Sequence, residues 1–156
     1  MKKAGFIFSL VLITLTSCTR KDENTELKFE QQLVNTKWLR KGDEFIVYDL
    51  NNKILMQHYA DTPEGLISHM ELKADRIAVI NKLCDEFNCS GDKYIGKWQI
   101  NKNTLLVSYT DSSLERVFVE GKIFNITPSE LVIDVDLSKF HADNYRRIKR
   151  ISYIKL

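Results

Sequence analysis

Apolar and polar positions divide the chain into three regimes. Ala4 to Leu15 is almost wholly apolar and carries no charge, Thr19 to Glu26 is polar throughout, and from Thr36 onward the chain breaks into short β-rich runs. Between the second and third regimes, Glu26–Val34 places Phe29 and Leu33 four apart, on one face of a short helix. The β-rich runs are Thr36–Lys41, Glu44–Leu50, Lys53–Tyr59, Leu66–Lys73, Arg76–Ile80, Tyr94–Asn101, Thr104–Tyr109, Leu114–Thr127, Glu130–Leu137 and Arg146–Lys155. They are punctuated by Asn51-Asn52, Asp61–Gly65, Asn101–Asn103, Asp111–Ser113 and Thr127–Ser129, residues that tolerate left-handed backbone, preset φ or bond their own backbone. Short strands at near-regular spacing, joined by loops too short for crossovers, predict an antiparallel all-β domain. About 8–10 such strands close most simply as an up-and-down barrel with a short N-terminal helix. Gly121, inside the long Leu114–Thr127 run, marks an expected bulge or bend.

The first regime is an export signal. Lys2 and Lys3 precede an apolar run that is shorter than the roughly 20 residues a bilayer demands but matches a cleavable signal core. Leu15-Thr16-Ser17-Cys18 resembles the bacterial lipobox. That resemblance implies diacylglyceryl transfer to the Cys18 sulfur, cleavage after Ser17, and attachment to a membrane by several acyl chains, which anchor stably without spanning. The expected organisation is therefore a signal peptide (1–17), a lipidated tether (18–26) and one domain (27–156). Lys21-Asp22-Glu23 resembles the surface-export signal of Bacteroidetes-type lipoproteins, which implies an outer-membrane location with outward display.

Charge narrows the partners. The chain carries 23 basic and 21 acidic residues; cleavage removes Lys2 and Lys3 and no acid, so the mature protein is formally neutral. Without a basic excess, nucleic acid is not an expected partner. Cys84-Asp-Glu-Phe-Asn-Cys89 holds the two cysteines other than Cys18. In an oxidising compartment they are expected to form a structural disulfide, since the four-residue spacing is not that of a Cys-x-x-Cys redox pair. His58, His69 and His141 make no metal-ligating pattern, and no metal or cofactor is expected. No phosphate loop, nucleophile elbow or His-Glu-x-x-His is present, so the chain reads as a non-enzyme, with a small hydrolase a distant third reading.

The mature chain resembles the Bacteroidetes-type lipocalin-like domain lipoproteins. The likeness rests on Leu33-Val-Asn-Thr-Lys-Trp38-Leu39 at the opening, Gly96-Lys-Trp98-Gln-Ile100 followed by Leu105-Leu106-Val107 in the middle, and Ile126-Thr-Pro-Ser-Glu-Leu131-Val-Ile133 near the end. It spans about Leu33 to Leu156 and implies a lipocalin-like barrel. Lipocalins proper place Gly-x-Trp on the first strand; here Asn35-Thr36-Lys37 precedes Trp38.

The last hairpin offers a candidate site. Pairing Glu130–Leu137 with Arg146–Lys155 is expected to set Asp136 near Arg147 and Asp134 near Lys149 as an outward ladder. That register puts Arg150 on the face of Ile148, Ser152, Ile154 and Leu156. If that face lines the barrel, Arg150 points inward and needs an anion. An internal acid, a rim position or a bulge would account for it, and so would a ligand carboxylate. Fatty-acid-binding barrels, which this fold resembles, use a late-strand Arg for the ligand head group, although they follow it with a Tyr where this chain has Ser152. The leading expectation is a membrane-anchored barrel binding a small apolar or amphipathic ligand. The alternative is a non-enzymatic surface module with a filled barrel that contacts a protein partner.

Overall fold

The computed structural model describes residues 19–62, 68–82 and 91–156, with side chains from Glu26 onward. Among these residues one α-helix, α1 (Thr19–Leu33), precedes nine strands: β1 (Thr36–Tyr48), β2 (Ile54–Asp61), β3 (His69–Leu72), β4 (Ile77–Asn81), β5 (Lys93–Asn101), β6 (Thr104–Asp111), β7 (Leu114–Ile126), β8 (Glu130–Asp136) and β9 (Arg146–Lys155). Among the described residues, no helix is long and apolar enough to cross a membrane. Cys18, Cys84 and Cys89 lie outside the described residues.

All strand pairs are antiparallel, in the order β2-β1-β3-β4-β5-β6-β7-β8-β9, with a further pairing of β1 to β9. The eight strands other than β2 thus form an unbroken ring of pairings, and β2 is an added strand beside the second half of β1. Two of the expected strands merge. Thr36–Lys41 and Glu44–Leu50 are one strand, which runs through Gly42 and Asp43 with a register shift between Arg40 and Gly42 against β9. Gly42 sits where a Cβ would lie 2.4 Å from the Tyr59 hydroxyl oxygen. The shift falls where β1 exchanges β3 for β2 as its neighbour.

Turn chemistry follows the sequence closely. Ser112 and Ser113, both at positive φ (48° and 71°), join β6 to β7 in a two-residue turn whose hand matches the strand twist. Asn52 and Lys102 also adopt positive φ at hairpin turns. In β7, register shifts at Phe118 and Phe124 flank Gly121. Gly121 itself is a point of close approach: a Cβ there would lie 2.6 Å from the Asp134 carbonyl oxygen.

The ring has an apolar interior. Trp38, Met70, Ile80, Trp98, Val107, Leu131, Ile133, Ile151 and Tyr153 are buried in one cluster. Opposed residues of an antiparallel pair share a face, so the registers Trp98↔Val107, Ile133↔Ile151 and Leu131↔Tyr153 place these side chains on the same inner surface. The Trp98 indole N–H donates to the Lys73 carbonyl at 2.8 Å. Helix α1 packs at the end of the ring where β3–β4 and β5–β6 turn. Leu33 is fully buried and Phe29 packs beside it. Arg76 bonds Glu30 at 2.7 Å, and the Lys102 N–H donates to the Glu26 carboxylate. The helix begins at Thr19, so residues 19–26, expected from their polarity to be a tether, are helical; they contain neither Gly nor Pro to stop a helix.

Gly96 lies on the inner face of β5, where a Cβ would stand 1.9 Å from the Ser108 carbonyl oxygen. Gly96→Ala must therefore displace backbone, and it is expected to destabilise the fold by about 1–3 kcal/mol. Urea unfolding followed by far-UV circular dichroism checks this; an unchanged midpoint would rule out the close approach.

Candidate ligand cleft

The ladder between β7 and β8 is short. It joins Lys122–Ile126 to Leu131–Asp134, whereas residues 114–121 of β7 pair, among the described residues, with β6 alone. Beyond Asp136 the chain turns into a 3-10 helix, Ser138–Phe140. The strands therefore part towards the end of the ring opposite α1, and a cleft of about 1110 Å³ lies between them. Phe118 and Val119 line one wall, Val135 and Phe140 the other. Ile123, Lys149 and Ile151, all on the inner face, also line it, so the cleft reaches the interior of the ring.

The charge of the lining is predominantly positive. Lys122, Lys139, Arg146, Lys149 and Arg150 stand against Glu120, Asp134 and Asp136. Hydrogen bonds from Ser138, through its hydroxyl and its backbone N–H, hold the Asp136 carboxyl below the usual range, so it stays ionised.

The observed register corrects the expected one for the last hairpin. Asp134 pairs with Arg150 and Asp136 with Ile148; Lys149 faces Val135, and Arg147 binds Asp143 in the preceding loop. Ile151 and Tyr153 belong to the interior cluster, so Lys149 lies on the inner face and Arg150 on the outer one. Arg150 meets an internal acid. Its Nε and Nη2 donate to Asp134 at 2.7 and 3.0 Å, its Nη1 lies 3.5 Å from Glu44, and its guanidinium stacks 3.7 Å from the Phe124 ring centre. The paired carboxylate of Asp134 raises its pKa further. Asp134 and Glu44 hold the guanidinium on the outer face, so Arg150 does not point into the ring as the ligand-binding expectation required. Both faces of β9 carry apolar residues, and Ile148 is buried on the outer one, so alternation alone points to the wrong face.

The interior cations are others. Arg40 grips Asp43 with two hydrogen bonds, Nε to Oδ1 at 3.0 Å and Nη2 to Oδ2 at 2.5 Å, and Lys149 Nζ meets the same Oδ2 at 2.8 Å. Arg40 is opposed to Tyr153 and Asp43 to Ile151, which fixes the cluster on the inner face. Tyr153 is fully buried, and burial pushes its phenol pKa up, so it carries no charge at ordinary pH. Sequence reading misses this group because Arg40 and Asp43 flank the Gly42 shift, which looks like a turn. Their three-residue spacing is the available signal.

His58, His69 and His141 lie on β2, on β3 and after the 3-10 helix, and no metal-holding cluster is found among the described residues. No family model, curated protein or solved structure matches this chain.

Arg150→Gln would leave Asp134 and Glu44 without their cation. The expected cost is about 1.5–3 kcal/mol in urea unfolding, the range for charged hydrogen bonds, with part recovered in the double variant with Asp134→Asn. Additive losses would show that the pair is not coupled.

Proposed function

We propose that this chain is a membrane-anchored lipoprotein whose strands form a lipocalin-like barrel that binds a small apolar or amphipathic molecule without catalysing a reaction. The observation that carries the reading is the cleft between β7 and β8. Its size suits a small ligand, and apolar interior residues and a surplus of cations line it together. The ring of pairings, with α1 packed at one end and the strands parting towards the other, supports a vessel with a single mouth. The signal-like start and Leu15-Thr16-Ser17-Cys18 support acylation at Cys18 and residence in the outer membrane, displayed outward if Lys21-Asp22-Glu23 acts as an export signal. The spacing of Cys84 and Cys89 supports a disulfide in the β4–β5 connection.

A second reading, a surface module for a protein partner, is favoured by β2. Among the described residues this strand pairs only with β1, and Ile54, Leu55, Met56 and Tyr59 on it are about half exposed. An apolar strand at a sheet edge is a natural site for another chain.

Mass spectrometry of the protein purified from its own envelope tests both. The expected result is an acylated Cys18, a chain two hydrogens lighter than its reduced form, and a co-purified small molecule under native conditions. Cys18→Ala should remove the acyl mass. A chain ending in unmodified Met1, free thiols at both Cys84 and Cys89, or a bound protein with an empty cleft would each overturn the corresponding part.

A further inference from the structure

We propose that the cleft selects an amphipathic monoanion, such as a chain carrying one carboxylate, and that Lys149 receives its head group; the proposal rests on the binding reading above. One acid, Asp43, stands between two interior cations, Arg40 and Lys149. Arg40 engages both carboxylate oxygens, so it already satisfies the single negative charge of Asp43, and Lys149 shares only Oδ2. The cluster therefore holds one surplus positive charge. The residues opposed to Lys149 on its two neighbouring strands are Phe45 and Val135, neither of them an acid. Buried Tyr153 adds no charge. Glu44 and Asp134 lie on the other face with Arg150, and Asp143 is bound to Arg147.

Of this cluster, Lys149 lines the cleft, and Arg40 and Asp43 do not. An ammonium carries three N–H donors, and its side chain here is 26 % exposed, so donor capacity remains on the cleft side. Val119, Ile123 and Ile151 line the cleft beyond it and offer an apolar wall to the body of the ligand. A partly buried surplus cation is costly unless an anion meets it, and one monoanion would restore neutrality.

The test uses the whole mature chain with Cys18→Ser, so that no acyl chain competes for the cleft. Nile red, which is neutral, reports occupancy, and dodecanoate and dodecanol compete for it with the same body and different heads. Dodecanoate is expected to compete about ten- to a hundredfold more strongly than dodecanol. Lys149→Met should abolish that preference while leaving dodecanol within about threefold of the parent, and Lys97→Gln, exposed on β5 and outside the cleft, should leave the preference intact. Asp43→Asn, which frees a second cation, should enlarge it. Equal competition by the two heads in the parent, a preference that survives Lys149→Met, or one lost in Lys97→Gln would overturn the proposal while leaving the binding cleft standing. A parent that binds neither Nile red nor dodecanol would overturn both.

Discussion

A β-sheet ends in two edges whose backbone groups lack partners, and the architecture of this protein depends on how β1 disposes of them. Its 13 residues pair along one edge with β9 and along the other with β3 and then β2. The ladder with β9 is the link that turns a row of strands into a ring. Without it the interior cluster would open, because Trp38 on β1 and Tyr153 on β9 pack into it from either side of that seam. The shift at Arg40 and Gly42 lets one strand serve three neighbours. It bends β1 where the support on one edge changes from β3 to β2, and Gly42 keeps that bend free of a collision with Tyr59.

Much of this fold is legible in the amino-acid sequence. Turn residues at Asn52, Ser112 and Ser113 mark hairpins because few residues accept positive φ, and Phe29 and Leu33 mark the face α1 buries. The pattern overcounts the strands by one because glycine is ambiguous: at Gly42 the chain needs close approach within a strand, and at a turn it would need conformational freedom. Only the identity of the neighbours across the sheet separates the two uses. Gly121 shows the same ambiguity, since the shifts in β7 fall at Phe118 and Phe124, large side chains that carry no turn signature.

The site is harder to read, and β9 explains why. Ile148 and Ile154 occupy one parity, Ile151 and Tyr153 the other, and Ile148 and Ile151 are both buried. A strand covered on both faces carries no binary pattern to say which is inside. Ile46, opposite Ile148 on β1, is buried on the outer face as well. Choosing the wrong parity exchanges Lys149 for Arg150, and with it the residue that faces the interior for one bound to the outer wall.

The two parities carry opposite charge patterns on the same strands. On the outer face of β1, β9 and β8, Arg150 stands between two acids, Glu44 and Asp134. On the inner face of β1 and β9, Asp43 stands between two cations, Arg40 and Lys149. The outer group has a further cation beside it, since Lys122 is opposed to Asp134. Its excess acid is therefore balanced by protein. The inner group has no such partner across the strands, where Lys149 is opposed to Phe45 and Val135. A residual charge is thus answered by a protein side chain on one side of the sheet and left over on the other. That difference is why the interior cation, rather than the more conspicuous arginine outside, is the group whose electrostatics a bound anion would complete.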